Sequence, residues 1–157
     1  MPDVVDSSVW VFGLSKTCEP AEAVLESVIE GDIVIEVDAY IYNEVHAALG
    51  RSIDDHVFRS RCQTRFGEIV HGSVNVIHPS QSAVEELSPE DVRQDPSYRM
   101  FGEVFGIQPK DVPIIELAWQ QPDEIVTVYT ADRPLSRFDP EAAGLEEVRI
   151  EYVNCPA

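Results

Sequence analysis

The chain has 157 residues, of which 44% are hydrophobic, so one domain can bury a core without disulfides or a structural metal. It carries 29 acidic and 11 basic residues, a formal net charge of −18, and its hydrophobic content argues against disorder as the cause. The N-terminus has no basic segment before an apolar run, and no window approaches the roughly 18 apolar residues of a membrane helix, so we expect a single cytoplasmic domain, residues 1–157.

Predicted strands and helices alternate through the first half of the chain. A strand at "DVV" is followed by a helix at "EPAEAVLESVIEG", which has Pro20 in its first turn and ends at Gly31. A strand at "DIVIEV" then leads to a helix at "AYIYNEVHAALG" that ends at Gly50. The segment "DDHVFRSRCQTRFGEIVHG" continues as helix, and "VNVIHP" is the third strand.

The second half keeps this alternation after an insertion at "LSPEDVRQDPSYRM". Helical patterns occur at "SAVEEL", "YRMFGEVFG" and "PKDVPIIELAWQQ", the last ending near Pro122. Strands at "EIVTVYT" and "VRIEYV" complete the order. Strands separated by helices predict an α/β fold with a mostly parallel sheet that is covered on both sides.

The acidic residues must coat a folded surface. Such a surface repels itself at low salt, whereas near 1 M salt the Debye length falls to about 3 Å and screens the repulsion. The charge therefore indicates a halophilic protein adapted to a salty cytoplasm, as in haloarchaea, with an acidic mesophilic protein as the alternative. The three cysteines, Cys18, Cys62 and Cys155, have no Cys-x-x-Cys spacing and are predicted to be reduced packing residues.

Four acidic residues lie where an exposed charge is not expected. Asp6 and Asp132 directly follow predicted strands, Glu44 lies beside the apolar stripe of its helix, and Asp111 lies in the first turn of a late helix. Each has an ordinary explanation: Asp6 as a helix cap, Asp132 as an Asx turn, Asp111 as a charge favoured by a helix dipole, and Glu44 as a surface residue. Singly, none of them establishes a site.

Their combination predicts a metal site. In a parallel sheet, ligands collect at the carboxyl ends of the strands, where these four side chains can converge. Converging carboxylates raise each other's pKa and destabilise the fold unless a cation neutralises them. Ligands that are all oxygen suit Mg²⁺ or Mn²⁺, and such a site performs hydrolytic phosphoryl transfer.

The chain resembles the PIN-domain nucleases, particularly the VapC-type toxins of toxin–antitoxin pairs. The resemblance covers nearly the full length, through "VVDSSVWV", "IVIEVDAYIYNEVHAAL", "GIQPKDVPIIELA" and "VTVYTADRPLS". It implies a single PIN-like domain, a three-layer α/β/α sandwich with a central, mostly parallel sheet. It also implies that the catalytic and metal-binding residues are Asp6, Glu44, Asp111 and Asp132.

The activity implied by the resemblance is Mg²⁺- or Mn²⁺-dependent endoribonuclease cleavage that leaves a 3′-hydroxyl and a 5′-phosphate. Ser7 and Thr130 match positions where the family has hydroxyl residues beside the acids. The implied partners are an RNA substrate, a small antitoxin protein and a second copy of the chain. The helix face that carries Val24, Leu25 and Val28 is a candidate dimer surface, with burial in the core as the alternative.

One segment of this acidic chain is basic. Between residues 51 and 65, four arginines stand against two aspartates, a local net charge of +2. The segment is a candidate phosphate-binding surface, and a helix face with internal ion pairs is an equal alternative. The candidate RNA-binding residues are Arg51, Arg59, Arg61 and Arg65.

Three other functions compete with the toxin. PIN domains also occur in RNA-processing nucleases and in non-catalytic interaction modules, so the fold does not decide among them. A phosphatase or phosphoacceptor domain also uses clustered aspartates. It is disfavoured because Asp6 is followed by Ser7 and Ser8, whereas many phosphatases have an Asp-x-Asp pair there.

Overall fold

A computed structural model describes residues 2–120 and 124–155 of the chain. The strands in these ranges are β1 (Val4–Val5), β2 (Ile35–Glu36), β3 (Val76–Ile77), β4 (Val126–Thr130) and β5 (Val148–Tyr152). The helices are α1 (Ser7–Leu14), α2 (Glu19–Glu30), α3 (Ala39–Ser52), α4 (His56–Gly72), α5 (Gln81–Glu86), α6 (Pro89–Gln94), α7 (Pro96–Phe105), α8 (Val112–Trp119) and α9 (Arg133–Ser136). The predicted α/β class is confirmed.

The strands form two small parallel sheets that meet at β1. One sheet has the order β1-β4-β5, and the other pairs β2 with β3. An isolated parallel bridge joins Asp3 to Ile35, and the N–H of Glu36 donates to the carbonyl of Asp3 at 2.9 Å. These bonds place the strands in the spatial order β3-β2-β1-β4-β5. Strands β2 and β3 therefore lie on one side of β1, and β4 and β5 lie on the other. The strand order reverses between β1 and β4, which is the topological switch point.

Side chains on both faces of β1 and on one face of β4 are buried. Val4 and Val5 are each 1% exposed, and because successive residues of a strand point to opposite faces, protein covers both sides of β1. On β4, Val126 and Val128 share one face and are fully buried, whereas Thr127 and Tyr129 on the other face are half-buried. The apolar run that predicted β1 thus reflects burial from two sides, as expected for a parallel strand.

Several predicted boundaries require correction. Strands β2 and β3 have two residues each, shorter than the patterns around them. Helix α3 does not end at Gly50 but continues to Ser52, with the N–H of Ile53 bonded to the carbonyl of Leu49. A glycine inside a helix costs about 1 kcal/mol relative to alanine, and burial of the apolar face of α3 offsets that cost.

The end of α2 and the late helix give a mixed result. Helix α2 does end at Gly31, which adopts a left-handed conformation with φ of 88°. The late helix begins as a 3₁₀ turn over Pro109–Asp111 and continues as α8. Pro113 lies in the first turn of α8, where a backbone N–H has no acceptor within the helix, so its missing N–H costs no hydrogen bond. Its predicted end near Pro122 lies outside the described residues.

The face of α2 that was a candidate dimer surface packs into the core. Leu25 is 5% exposed and Val28 is fully buried, while Val24 is half-buried against the same cluster. The alternative of burial in the core is therefore the one observed. A homodimer, if it forms, must use another face.

Two of the cysteines are joined, contrary to the prediction that all three are reduced thiols. Cys18 and Cys155 form a disulfide across 137 residues of sequence, with a Cα–Cα distance of 5.5 Å. Cys62 is buried and is the one free cysteine within residues 2–120 and 124–155. The pair was missed because only the fold brings these residues together, and no short-range spacing signals such a bond.

We expect reduction of this disulfide to lower the free energy of unfolding by about 2–5 kcal/mol, because the bond restrains nearly the whole unfolded chain. Urea unfolding with and without dithiothreitol measures the effect. The double variant Cys18→Ala/Cys155→Ala should have the lower stability already and should not respond to dithiothreitol. Identical unfolding midpoints of the natural chain in both conditions would contradict the assignment.

Candidate metal centre

Asp6 lies between the end of β1 and the start of α1 and is 4% exposed. Its Oδ1 accepts a hydrogen bond from the N–H of Ser7 at 2.8 Å, so it caps α1. Its Oδ2 accepts bonds from the hydroxyls of Ser8 and Thr130, both at 2.9 Å. Capping is thus one role of Asp6, but it engages only one of the two carboxylate oxygens.

The two hydroxyls connect the ends of β1 and β4. Ser8 Oγ accepts from the N–H of Ala131 at 3.0 Å while it donates to Asp6. Thr130 Oγ1 accepts from the N–H of Asp132 at 3.0 Å while it donates to the same carboxylate. The hydroxyl beside Asp6 therefore comes from Ser8 rather than from Ser7, which contributes its backbone N–H. Ser8 is a residue that the sequence reasoning did not single out.

Asp111 and Asp132 meet at the ammonium group of Lys110. Lys110 Nζ lies 2.7 Å from Asp132 Oδ2 and 3.6 Å from Asp111 Oδ1. Asp111 is 2% exposed, and its Oδ2 has no hydrogen-bond partner in the part of the chain that the structure describes. Asp132 caps α9 through the N–H of Leu135 at 3.4 Å, so the predicted local turn role is also present.

Three carboxylates influence one another here. Burial is the main cause that raises the pKa of Asp111 to about 7, and Asp6 and Asp132 add to the rise while Lys110 opposes it. Burial also raises the pKa of Asp6 against the opposing hydrogen bonds from Thr130 and Ser8. Burial would lower the pKa of Lys110, but Asp111, Asp132 and Asp6 outweigh it and raise that pKa. The structure therefore brings Asp6, Asp111 and Asp132 into one electrostatic cluster.

Glu44 is buried, which contradicts its alternative reading as a surface residue. It lies on α3 at 6% exposure and pairs with two guanidinium groups. Arg51 Nη2 lies 2.8 Å from its Oε1, and Arg93 Nη2 contacts its Oε2. Glu44 is thus paired with Arg51 and Arg93 and not with Lys110, which contacts Asp111 and Asp132.

A cavity of about 780 Å³ opens beside these acids. Ser7, Ser8, Glu44 and Lys110 all line it, so Glu44 faces the same space as the lysine of the cluster. Asp6 and Asp132 stand at the carboxyl ends of β1 and β4, which is where open α/β sheets bind ligands. Of the four predicted acids, Glu44 lines this cavity, whereas Asp111 lines a separate cavity of about 460 Å³.

The donor set fits a hard divalent cation in kind. Carboxylate and hydroxyl oxygens are the ligands that Mg²⁺ and Mn²⁺ prefer, and Asp111 Oδ2 is a buried acceptor without a partner among the described residues. No group of three or more His, Cys, Asp or Glu within residues 2–120 and 124–155 is arranged to hold a metal ion. The ammonium of Lys110 offsets part of the negative charge of the cluster and lies 2.7 Å from Asp132 Oδ2.

The basic segment does not form one surface. Arg51 lines the cavity, whereas Arg61 and Arg65 line a separate hollow on α4, and Arg65 lies 3.6 Å from Glu68. Arg59 stays local, with its side chain bonded to the carbonyl of Ile53 at 3.4 Å. The cations that do reach the acids are Arg51, Arg93 and Lys110.

Comparison with models of protein families, with curated proteins and with solved structures finds no match to this chain. Within the described ranges, no helix has the length and apolar character needed to cross a membrane. The class of protein that the structure defines is thus a mixed α/β chain with small parallel sheets and an acidic cluster at their switch point.

Proposed function

We propose that this chain is a PIN-like endoribonuclease that depends on Mg²⁺ or Mn²⁺. The observation that carries the proposal is the electrostatic cluster of Asp6, Asp111 and Asp132, in which Asp6 and Asp132 follow β1 and β4 and Lys110 contacts Asp111 and Asp132. Two buried carboxylates, Asp6 and Asp111, with the partly exposed Asp132 beside them are unfavourable for stability, so a function that needs a cation explains why they are there. The strand order β3-β2-β1-β4-β5, with protein on both faces of β1, supports a three-layer α/β/α sandwich.

In this proposal Asp6, Asp111, Asp132 and Glu44 hold the ion directly or through water. When bound, such an ion polarises a phosphodiester and stabilises the charge that develops during hydrolysis. Ser8 and Thr130 orient the carboxylate of Asp6, because both hydroxyls donate to its Oδ2. Arg51 and Arg93 orient Glu44 in the same way.

The biological role that we propose is the toxin of a type II toxin–antitoxin pair. A small antitoxin protein and a second copy of the chain are its proposed partners, and the cytoplasm is its proposed location. The resemblance to VapC-type toxins supports this role, and an RNA-processing nuclease outside a toxin pair is the alternative. A short upstream reading frame for a DNA-binding protein would favour the toxin.

A non-catalytic PIN-like module is the second candidate. It is favoured by one observation: each of the four predicted ligands already has a partner. Asp6 caps α1, Glu44 pairs with Arg51, and Asp111 and Asp132 lie 3.6 and 2.7 Å from Lys110 Nζ. This module should show no Mn²⁺ binding by calorimetry. Saturable Mn²⁺ binding that the Asp132→Asn variant lacks would exclude it.

The expected result for the natural chain is RNA cleavage in Mn²⁺ or Mg²⁺ and none in EDTA, because the carboxylates need the ion to act on a phosphodiester. A labelled RNA resolved on a denaturing gel, across a range of KCl concentrations, measures it. The products are expected to carry a 5′-phosphate, so a 5′-phosphate-dependent exonuclease should degrade them. Cleavage that proceeds equally in EDTA would overturn the metal-dependent assignment.

A further inference from the structure

Three of the four histidines of the chain lie together around Tyr42, away from the residues that the proposed function uses. His46 is one turn after Tyr42 on α3, and their ring centroids are 5.1 Å apart. His71, in the last turn of α4, lies 5.7 Å from the Tyr42 ring, and His78, directly after β3, lies 5.0 Å from the His71 ring. No short-range spacing predicts this group, because three different elements supply it.

The hydrogen bonds of His71 and His78 leave each ring with a nitrogen that can bind a metal ion. His78 Nδ1 lies 3.1 Å from the carbonyl oxygen of Pro79. A carbonyl oxygen can only accept, so Nδ1 carries the proton and Nε2 of the neutral ring keeps its electron pair. Metal-binding histidines have this arrangement, with the other ring nitrogen donating to a backbone carbonyl or a carboxylate. His71 Nε2 lies 3.3 Å from the hydroxyl oxygen of Tyr42, and in the tautomer that accepts from this hydroxyl its electron pair points toward Tyr42.

The oxygen of Tyr42 is held in position by the packing of its ring. The side chain is half-buried, and its ring packs against His46 and against the fully buried Phe66, with centroids 5.3 Å apart for the second pair. His71 and His78 are exposed, so an ion from solvent can reach both rings. The group thus combines one positioned oxygen with two accessible nitrogens.

Two distances in this group match those around one tetrahedral metal ion. A Zn–N bond is about 2.0–2.1 Å long, so two ligand atoms of a tetrahedral site lie about 3.3–3.4 Å apart. Tyr42 Oη and His71 Nε2 are 3.3 Å apart. Two imidazoles that share such an ion have ring centroids about 5 Å apart, and those of His71 and His78 are 5.0 Å apart.

We infer that His71 Nε2, His78 Nε2 and Tyr42 Oη bind one divalent transition-metal ion of the Zn²⁺ class. Imidazole nitrogen suits Zn²⁺, whereas carboxylate oxygens suit Mg²⁺ and Mn²⁺, so this site differs in chemistry from the acidic cluster. The phenol releases its proton to solvent when its oxygen binds the ion. Within residues 2–120 and 124–155 the site has fewer than three His, Cys, Asp or Glu ligands, so water occupies the fourth position, as in open zinc sites. The inference goes beyond the proposed ribonuclease and does not depend on it.

Zn²⁺ binding is measured by calorimetry of the natural chain in excess Mg²⁺, which competes for the acidic cluster. We expect one saturable site. His71→Ala and His78→Ala should each weaken it by at least about 10-fold, because even the loss of a residue that only orients a metal ligand costs about 10- to 100-fold. His56→Ala is the matched control, because His56 is the fourth histidine and contacts Arg59 instead. No saturable binding by the natural chain, or natural affinity in His71→Ala, would overturn the inference.

A variant of the acidic cluster locates the ion. Asp132→Asn should bind Zn²⁺ like the natural chain, because Asp132 contacts Lys110 and not the histidines. Loss of Zn²⁺ binding in Asp132→Asn, together with its retention in His78→Ala, would place the ion at the acids and overturn the inference. If Zn²⁺ binds at the histidines but RNA is not cleaved in any metal, the zinc site stands and the ribonuclease does not.

Nitrogen chemical shifts of the imidazole rings identify the ligands directly. Zn²⁺ should shift the Nε2 signals of His71 and His78 and leave those of His56 unchanged. The alternative is an aromatic cluster that packs without an ion, and it predicts no shift at either ring. That result, or an equal shift at His56, would overturn the inference.

Tyr42→Phe keeps the ring and its packing but removes the oxygen. It should weaken Zn²⁺ binding by about 10-fold and still show the shifts of both histidines, whereas natural affinity would overturn the third ligand. Because the three ligands join α3, α4 and the end of β3, Zn²⁺ should raise the melting temperature of the natural chain by more than that of His71→Ala. Equal rises in the two proteins would overturn the site.

Discussion

Replacement of Asp6 by asparagine is expected to lower metal-dependent RNA cleavage by roughly 10²–10³-fold or more, the scale on which loss of one preorganised polar group lowers kcat. The amide keeps a carbonyl oxygen that can accept from the N–H of Ser7, so the cap on α1 can persist. Its NH₂ group can donate to the oxygens of Ser8 and Thr130, which now donate to Asp6. What the variant loses is the negative charge.

The stability of the same variant separates the two roles of Asp6. Burial and the charge of Asp132 disfavour the ionised form of Asp6, as the direction of its pKa shift indicates. Neutralisation should therefore leave the metal-free chain as stable as before or more stable, measured by thermal unfolding in EDTA. Asp32→Asn, an exposed aspartate after α2, is the matched control for both activity and stability. If Asp6→Asn instead unfolds the metal-free chain, the negative charge of Asp6 stabilises the fold, and the expected relief of repulsion is wrong.

Replacement of Lys110 by methionine is expected to destabilise the metal-free chain at pH 8 by about 1–3 kcal/mol. This is less than the full cost of breaking a buried ion pair, because the Lys110 side chain is 43% exposed. Without the ammonium, Asp111, Asp132 and Asp6 repel one another with no counter-charge among them. Lys16→Met, which removes the other lysine of the chain, is the control.

The pH dependence of this effect has a definite sign. The pKa of Asp111 is raised from 3.8 to about 7, so the folded state binds that proton more tightly than the unfolded state. The contribution of Asp111 to stability is therefore favourable at low pH and is lost as pH rises from about 4 to 7. Removal of Lys110 raises the pKa of Asp111 further, so the destabilisation of Lys110→Met should be larger at pH 8 than at pH 5.

Divalent metal should reverse the defect. If the ammonium of Lys110 competes with the ion, Mn²⁺ should raise the melting temperature of Lys110→Met by more than it raises that of the natural chain. Thermal unfolding at pH 8 with and without Mn²⁺ measures both. A Lys110→Met protein that no longer responds to Mn²⁺ would show that Lys110 supports the metal site and does not compete for it.

The sequence allowed the positions of the acidic residues to be predicted, but not the positions of the basic residues that pair with them. Asp6 and Asp132 follow apolar runs, and the rule that parallel strands collect ligands at their carboxyl ends is enough to place them together. The positions of Lys110 and Arg93 were not predicted, because an ion pair between distant elements depends on how those elements pack. Arg93 pairs with Glu44 across 49 residues of sequence, and no local pattern reports such a contact.

The same reason explains the errors in the fold. Gly50 was predicted to end α3 from its intrinsic preference, but tertiary packing of the helix overrides that preference. The disulfide between Cys18 and Cys155 was missed because it depends on where the end of β5 lies relative to α2. Periodicity identified most of the helices and strands in the described residues, whereas contacts between elements required the structure.

The strand order also determines when the site can form during folding. Strand β1 is the first in the chain, yet its partner in the larger sheet is β4, with Val4 paired to Val128. Contacts so distant in sequence form slowly, because a long loop must close before they give any stabilisation. Until β4 docks, Asp6 lacks the hydroxyl of Thr130 and Lys110 lacks Asp132. In a growing chain the acids are therefore apart, and the site is assembled only after residues as far as Asp132 have been synthesised.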